Sequence, residues 1–291
     1  MAERAGAEAE LMQVYQAVVP ETVSERTLEA YLIKALPLLP QFVIRDAFSR
    51  RDVKMDGKRV PADAVPVSGA KILVYTAWET ELPVIYEDSR ILLLNKPAGI
   101  SCEEDGRGGM TVQGILDARP DAPKLCHRLD NQTCGLLIAA KDPVTEACLL
   151  DAFRSRSLTK KYECLVKGIV NPRAGKLDAY IVKDERLGRM RVVSHPSPET
   201  KQISTAYETI ETGKEKSRLK VTLLTGRTHQ IRAHLAFIQH PILGDDVYGD
   251  RGYNQKLGIR RLMLCATDLI LNAGGVLNDL DGRAFHIDCP F

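Results

Sequence analysis

Apolar and polar positions repeat on two different periods along this chain, and the change of period divides it. In residues 21–36, Leu28, Tyr31, Leu32 and Ala35 recur at helical spacing, with Ser24 as candidate N-cap and Pro37 and Pro40 as stops. A second short helix is predicted from Phe42 to Phe48. Asp56-Gly57 between two β-prone pieces predicts a hairpin turn. Val65-Pro66-Val67 and Lys71–Tyr75 are predicted as further short strands. Beyond Pro83, strands dominate. Val84–Tyr86 leads through a turn at 87–90 into Ile91–Leu94, apolar at every position and so buried on both faces. Helices are expected at 111–118, 142–157 and 228–239, the last opened by Thr228, and strands at 162–166 and 219–224. Strands outnumber helices in a mixed order, which predicts an α+β fold. The expected organisation is a lead-in over 1–20, a small module over 21–77, a polar linker from Trp78 to Leu82 and a large domain over 83–291.

Composition narrows the function classes. With 44% hydrophobic and 27% charged residues, the chain reads as folded rather than disordered. A net charge of +2 gives no global basic field, so contact with a polyanion would fall to local patches. No apolar run reaches 18 residues, and the acidic N-terminus lacks the basic-then-apolar order of a secretory signal. The expectation is a cytoplasmic protein away from membranes. Seven cysteines without a CxxC pair read as reduced thiols. His229 and His234 stand five apart with no acidic residue between them, so no metal site is expected. Repeats and glycine-rich phosphate loops are missing from the sequence.

One segment concentrates candidate chemistry. Cys126–Lys141 (CHRLDNQTCGLLIAAK) places Asp130 beside Arg128, ahead of a turn-prone stretch and an apolar run. A carboxylate at the lip of a buried strand, next to an arginine, is a plausible reactive centre, although an isolated aspartate is more often a cap or turn residue. Spacing does not choose the chemistry.

The wording of this segment resembles the HRLDxxTSGLLL motif of RluA-type pseudouridine synthases. Residues 85–100 (IYEDSRILLLNKPAGI), 160–168 (KKYECLVKG), 223–249 (LLTGRTHQIRAHLAFIQHPILGDDVYG) and 261–271 (RLMLCATDLIL) resemble further segments of that family, in the same order. The resemblance implies a pseudouridine-synthase fold: a central mixed, mostly antiparallel sheet with an active-site cleft. It also implies isomerisation of uridine to pseudouridine within RNA, a reaction without redox or energy input and hence without a cofactor. By the same resemblance Asp130 is the nucleophile or covalent partner, Arg232 its counter-charge and Tyr162 a ring stacked on uracil. A carboxylate can attack the anomeric carbon or assist elimination to a glycal, and both routes stay open. Arg128 fits the arginine that fills the space left by an everted base, and Arg227 and His229 shape the loop or contact phosphate. Cys134 and Cys265 depart from the family's usual serine and histidine.

Other basic groups fit an RNA track: Lys160, Lys161, Lys167, Arg154 and Arg156 around Tyr162, and Arg186, Arg189, Arg191 and Lys201 in a later segment. Residues 21–77 loosely resemble the alpha-L RNA-binding module. Arg45, Arg50, Arg51, Lys54, Lys58 and Arg59 would then face phosphates. The implied partner is structured RNA, most simply bacterial large-subunit ribosomal RNA, and a monomer is the default expectation. Two other functions compete. A non-catalytic RNA-binding or ribosome-assembly factor would not need Asp130, Tyr162 and Arg232 together. A retaining glycosidase would need a second carboxylate that these segments lack.

Overall fold

The computed structural model describes residues 12–36, 39–78, 82–104 and 110–291. The first eleven residues of the expected lead-in, Pro37 as a helix stop and positions 79–81 of the expected linker lie outside the described residues. The chain forms two compact units, residues 1–82 with 99–115 and residues 83–98 with 116–291.

Among the described residues the first unit holds a four-stranded antiparallel sheet, two helices and the start of a third. The sheet order is β1 (Gln13–Val18), β4 (Lys71–Thr76), β2 (Val53–Met55), β3 (Lys58–Arg59). The β2–β3 hairpin turns at Asp56-Gly57, both with positive φ (47° and 80°), the backbone that a two-residue turn requires. Helices α1 (Leu28–Ala35) and α2 (Gln41–Ser49) bury Leu28, Leu32, Val43 and Ile44 with Val53, Ile72 and Val74 of the sheet. Three expectations are corrected here. Residues 13–18 are not lead-in but strand β1, paired with β4 from Gln13↔Thr76 to Val18↔Lys71. The cap of α1 is Thr27, whose Oγ1 accepts Ala30 N–H, while Ser24 bonds Glu25 instead. Val65-Pro66-Val67 is not a strand: both valines are exposed, and the proline has no N–H for a ladder. Residues 99–115, which the sequence placed in the large domain, group with this unit, and Gly99 lies against the Phe42 ring.

The second unit is built on a sheet ordered β11 (Arg189–Val193), β10 (Ala174–Asp184), β12 (Lys201–Thr212), β13 (Lys216–Leu223), β9 (Thr159–Lys167), β14 (Leu264–Ile270), β8 (Cys134–Ala140), β6 (Ile91–Lys96), β5 (Val84–Glu87). Two short strands, β7 (Lys124–Leu125) and β15 (Ala284–His286), pair with β8 and β14. Every pairing is antiparallel except β14 with β8, so the sheet is mixed and mostly antiparallel, as expected.

Strands β6 and β8 are apolar along nearly their whole length because both faces are covered. One face, carrying Ile91, Leu93, Leu136 and Ile138, packs under helix α4 (Pro143–Ser155) and a 3-10 helix (Gly275–Leu280) through Leu149, Ala152, Leu277 and Leu280. Asp142 caps α4 by accepting Val144 and Thr145 N–H, with Pro143 at the first helical position. The remaining helices are α3 (Val112–Asp117), α5 (Gln230–Phe237) and α6 (Arg251–Lys256). Among the described residues no helix is long and apolar enough to cross a membrane.

The parallel β14–β8 junction depends on one glycine. Gly135 has φ 115°, and a Cβ there would sit 2.3 Å from the carbonyl oxygen of Ala266, its register partner. Tyr162 pairs with the same Ala266 on the other side, so Tyr162, Ala266 and Gly135 form one rung across three strands. Gly135→Ala adds backbone strain of about 1–2 kcal/mol to an overpacking cost of about 1–3 kcal/mol. The expected result is a urea midpoint lowered by an amount equivalent to about 2–5 kcal/mol. A midpoint within experimental error of the parent would show that the strands relax apart at this rung.

Candidate active site

Asp130 stands in a loop pinned on several sides before it reaches β8. The Cys126 amide donates to Ile138 O (3.1 Å), and the Ile138 amide donates to His127 Nε2 (3.2 Å). The His127 ring lies 4.7 Å from that of Phe153. This histidine of the HRLD segment is thus a structural acceptor. Asp130 O accepts Thr133 N–H (3.0 Å). Lys96, fully buried at the end of β6, donates from Nζ to Pro97 O (2.9 Å) and Asn131 O (3.0 Å). A buried ammonium needs such acceptors, and here they tie the loop after Asp130 to the strand beside β8.

The second wall is the turn into α5. Its organiser is Gln230, a residue to which the sequence analysis attached no role. The Gln230 Oε1 accepts from Thr225 Oγ1 (2.8 Å) and the Arg227 amide (3.0 Å), and Nε2 donates to Ser204 O and Thr205 Oγ1 (both 3.0 Å). Thr228 does not open the helix. The residue before α5 is His229, in the left-handed region (φ 53°), and its side chain makes no cap bond. That strained turn aims His229 at Asp130 and puts Arg232 on the inward face of the first helical turn.

Arg232 is the charge centre of the site. It is 4% exposed. Its Nε and Nη2 grip Asp245 Oδ2 and Oδ1 at 2.8 and 2.9 Å, Nη2 reaches Asp246 at 3.2 Å, and Nη1 lies 3.5 Å from Asp130 Oδ2. Burial works against the guanidinium charge, but the paired carboxylates, Asp245 foremost, outweigh it and hold the Arg232 pKa above its ordinary value. For Asp245 burial raises the pKa, yet Arg232 and the amides of Tyr248 and Val247 bring it below the usual carboxylate range. Asp245 orients the arginine. The contact with Asp130 is looser, which leaves that carboxylate available: its side chain is 24% exposed.

These walls enclose a cavity of about 510 Å³, within the usual span of about 300–1,000 Å³ for small-molecule sites. Asp130, Tyr162, Arg232, His229 and Lys160 line it, and Arg128, Arg154, Arg156 and Arg227 are also in the lining. Tyr162 is 6% exposed. Lys160 lies over the Phe153 ring (5.2 Å), and burial lowers its pKa. Arg128 is exposed and, among the described residues, makes no hydrogen bond or ion pair. Among the described residues no group of three or more His, Cys, Asp or Glu side chains is placed to hold a metal ion.

The family model described as RNA pseudouridylate synthase matches residues 90–237 of the chain. The chain belongs to this family. Ribosomal large subunit pseudouridine synthase D of Yersinia pestis is 31% identical over 253 residues, covering 81% of this chain and 76% of the relative. Ribosomal large subunit pseudouridine synthase C of Vibrio cholerae serotype O1 is 29% identical over 278 residues, covering 86% of each. The solved structure of human RNA pseudouridylate synthase domain containing 4 superposes with a TM-score of 0.59 at 26% identity, over 72% of this chain and 88% of that one. The RluA-type resemblance and the expected fold are therefore borne out. The protein is an RNA pseudouridine synthase, an isomerase that converts uridine to pseudouridine.

The synthase cavity gathers Asp130, Tyr162, Arg232, Arg128, Arg227, His229 and Lys160 from the residues singled out in sequence. Lys161 is not among them. Side chains alternate along β9, so Lys160 and Tyr162 share the cavity face and Lys161 takes the other. Arg50 and Arg51 belong to the first unit, where Arg50 pairs with Asp46 at 2.9 Å. His234, once weighed beside His229 as a metal ligand, is buried against Thr205 Oγ1 at 3.0 Å. The two departures from the family wording meet, since Cys134 and Cys265 are register partners on β8 and β14.

Two histidines near the site make acid destabilising. Burial lowers the pKa of His127 to about 3, with Lys160 adding to it, and burial lowers that of His234 to about 4 against the opposing charge of Asp178. In the unfolded chain both titrate near about 6.5, so the unfolded state binds protons first as pH falls. Their stabilising effect is complete above that value and is lost progressively down to the folded pKa values. Between pH 7 and 5 each is expected to remove about 2 kcal/mol. Urea unfolding across this interval checks the sum, and a flat profile would mean that the rings titrate alike in both states.

Proposed function

We infer that this synthase isomerises uridines of large-subunit ribosomal RNA, with Asp130 as the group that engages the sugar. The observation that carries the chemistry is the placement of Asp130. Among the described residues its Oδ2 faces Arg232 and His229, at 3.5 and 3.9 Å, while its Oδ1 has no partner and the side chain borders the cavity. One oxygen is steadied and the other left to react. The choice of RNA is supported by the two relatives whose names specify the ribosomal large subunit.

A uridine reaches such a cavity only by leaving its stack, at a cost of about a few kcal/mol. Arg128 and Arg227, exposed in the lining, supply phosphate contacts and a planar group to occupy the vacated position. Inside, the Tyr162 ring offers a stacking face for uracil. Asp130 Oδ1 either bonds to the anomeric carbon as the N1 bond breaks or takes the neighbouring 2′ proton to give a glycal. Either way the enclosed uracil turns, C5 bonds to the anomeric carbon, C5 loses its proton, N1 gains one and the carboxylate is regenerated. Arg232, fixed by Asp245, stabilises the carboxylate whenever it carries charge.

The first unit serves in this reading as an RNA-docking module carrying Arg50, Arg51 and Lys54, and the unit of residues 83–98 with 116–291 as the catalytic one. The reading takes the acting species to be a monomer. The test is a pseudouridine map of ribosomal RNA from cells lacking the gene. Specific large-subunit sites should lose the modification and regain it with the parent gene but not with Asp130→Asn. An unchanged map of ribosomal RNA would refute this target class.

A further inference from the structure

Both ring nitrogens of His229 have identified neighbours in the site. Its Nδ1 lies 3.0 Å from the Tyr248 hydroxyl oxygen, and that oxygen accepts the Met190 amide at 3.0 Å. Among the described residues Nδ1 is the acceptor within reach of the phenol's own proton, and in that arrangement the phenol donates to Nδ1. A neutral imidazole carries a single N–H, which leaves it on Nε2. That nitrogen faces Asp130 Oδ2 at 3.9 Å, the same oxygen that Arg232 approaches.

The geometry points to His229 as a positioning residue for the reaction. It acts as a neutral Nε2–H imidazole, its tautomer set by the Tyr248 hydroxyl, that with Arg232 holds Asp130 Oδ2 and leaves Oδ1 as the reacting oxygen. This rests on the reading of Asp130 as the reacting carboxylate. It replaces the expected phosphate contact of His229 with a role inside the cavity.

The surroundings favour the neutral ring. Burial lowers the His229 pKa; Asp130 opposes this and Arg232 reinforces it, while Asp245 and Asp246 oppose. The groups packed around it are Asp130 from the loop before β8, Arg232 from α5, and Asp245, Asp246 and Tyr248 from the segment after α5. Arg189 of β11 lies over the Tyr248 ring at 5.8 Å. The two rings stand edge to face, 84° apart, so the phenol also fixes the plane of the imidazole. A left-handed φ at a residue other than glycine is a cost that the surrounding structure must sustain. Here it frees the side chain from capping α5 and turns it into the site. A neutral donor steadies Oδ2 without adding a second full charge that would weaken Oδ1 as a nucleophile. Such contacts are commonly long before substrate binds and tighten in the complex.

Nitrogen NMR of the 15N-histidine-labelled full chain at pH 7 reads the tautomer directly, independent of turnover. A pyrrole-type Nε2 and a pyridine-type Nδ1 are expected for His229, with mixing of tautomers in Tyr248→Phe. A protonated ring, or the proton on Nδ1, would overturn the proposal. Single-turnover kinetics supply the second arm. His229→Ala and His229→Asn, which lack a donor at the Nε2 position, should lower the rate about 100-fold with RNA affinity within about threefold. His229→Gln, which keeps an N–H there, should stay within about tenfold of the parent. Loss of RNA affinity at unchanged rate would instead identify a phosphate contact, and an inactive but folded Gln variant would exclude simple hydrogen bonding. Full turnover by Asp130→Asn would defeat the underlying reading while leaving the tautomer measurement standing.

Discussion

Asp130→Asn should reduce pseudouridine formation by more than about 10⁴-fold while RNA affinity stays within a few-fold of the parent. The substitution keeps the size and planarity of the side chain but removes the charge and the nucleophilic oxygen. It should not unfold the protein. Asp130 is partly exposed, its contact with Arg232 is long, and Arg232 keeps both bonds to Asp245. A loss of less than about 1 kcal/mol in stability is therefore expected. The contrast between abolished turnover and retained binding separates a reacting group from one that merely shapes the loop. Turnover above about a tenth of the parent rate would remove Asp130 from the chemistry.

The second large effect lies one residue deeper. Arg232→Met is expected to cost about 3–5 kcal/mol of stability, because it strands the Asp245 carboxylate in a fully buried position. The two amides that Asp245 accepts, from Val247 and Tyr248, do not replace a guanidinium. Adding Asp245→Leu to Arg232→Met removes the stranded charge, and most of the lost stability should return. Turnover should not return, since Asp130 still lacks its cation. Urea unfolding and single-turnover rates of both single variants and the double variant separate the two roles of the arginine. A double variant as unstable as Arg232→Met alone would show that the cost is packing rather than an unpaired charge.

These two expectations differ in how legible they were. Asp130, Tyr162 and Arg232 were identified because several ordered segments resembled one family, and the structure brings them to one cavity from a loop, a strand and a helix. Asp245 was already inside the quoted HPILGDDVYG stretch, but nothing in its spacing announces a pairing with an arginine 13 residues earlier that only a turn of chain makes possible. Gln230 and Tyr248 escaped for the same reason, since neither periodicity nor composition reports a hydrogen bond to a distant carbonyl or ring. Lys161 is a further case. Alternation along β9 separates it from Lys160 and Tyr162, but the predicted strand began only at Tyr162, so its exclusion from the cavity needed the observed strand, which starts at Thr159.

The buried strands were readable from their continuous apolar runs, as at Ile91–Leu94. Strand β1 was not: Val14 and Val18 are exposed while Tyr15 and Ala17 turn inward, so its apolar pattern does not mark the buried face. Its register comes from β4 instead. At the start of α5, threonine propensity favoured Thr228 as cap, but the buried bonds of Gln230 dictate a turn in which His229 takes the left-handed position. Local preference gives way wherever a buried polar side chain has several fixed partners.

The most direct test of the account follows from the bond that must break at C5. Large-subunit ribosomal RNA transcribed with tritium at C5 of uridine releases label to water only when that carbon gives up its hydrogen. The purified full chain is predicted to release tritium in proportion to pseudouridine formed, with no free uracil, and Asp130→Asn to release none. Label retained by the parent protein on this RNA, or released equally by the variant, would contradict the assignment of Asp130 as the reacting group of a uridine isomerase.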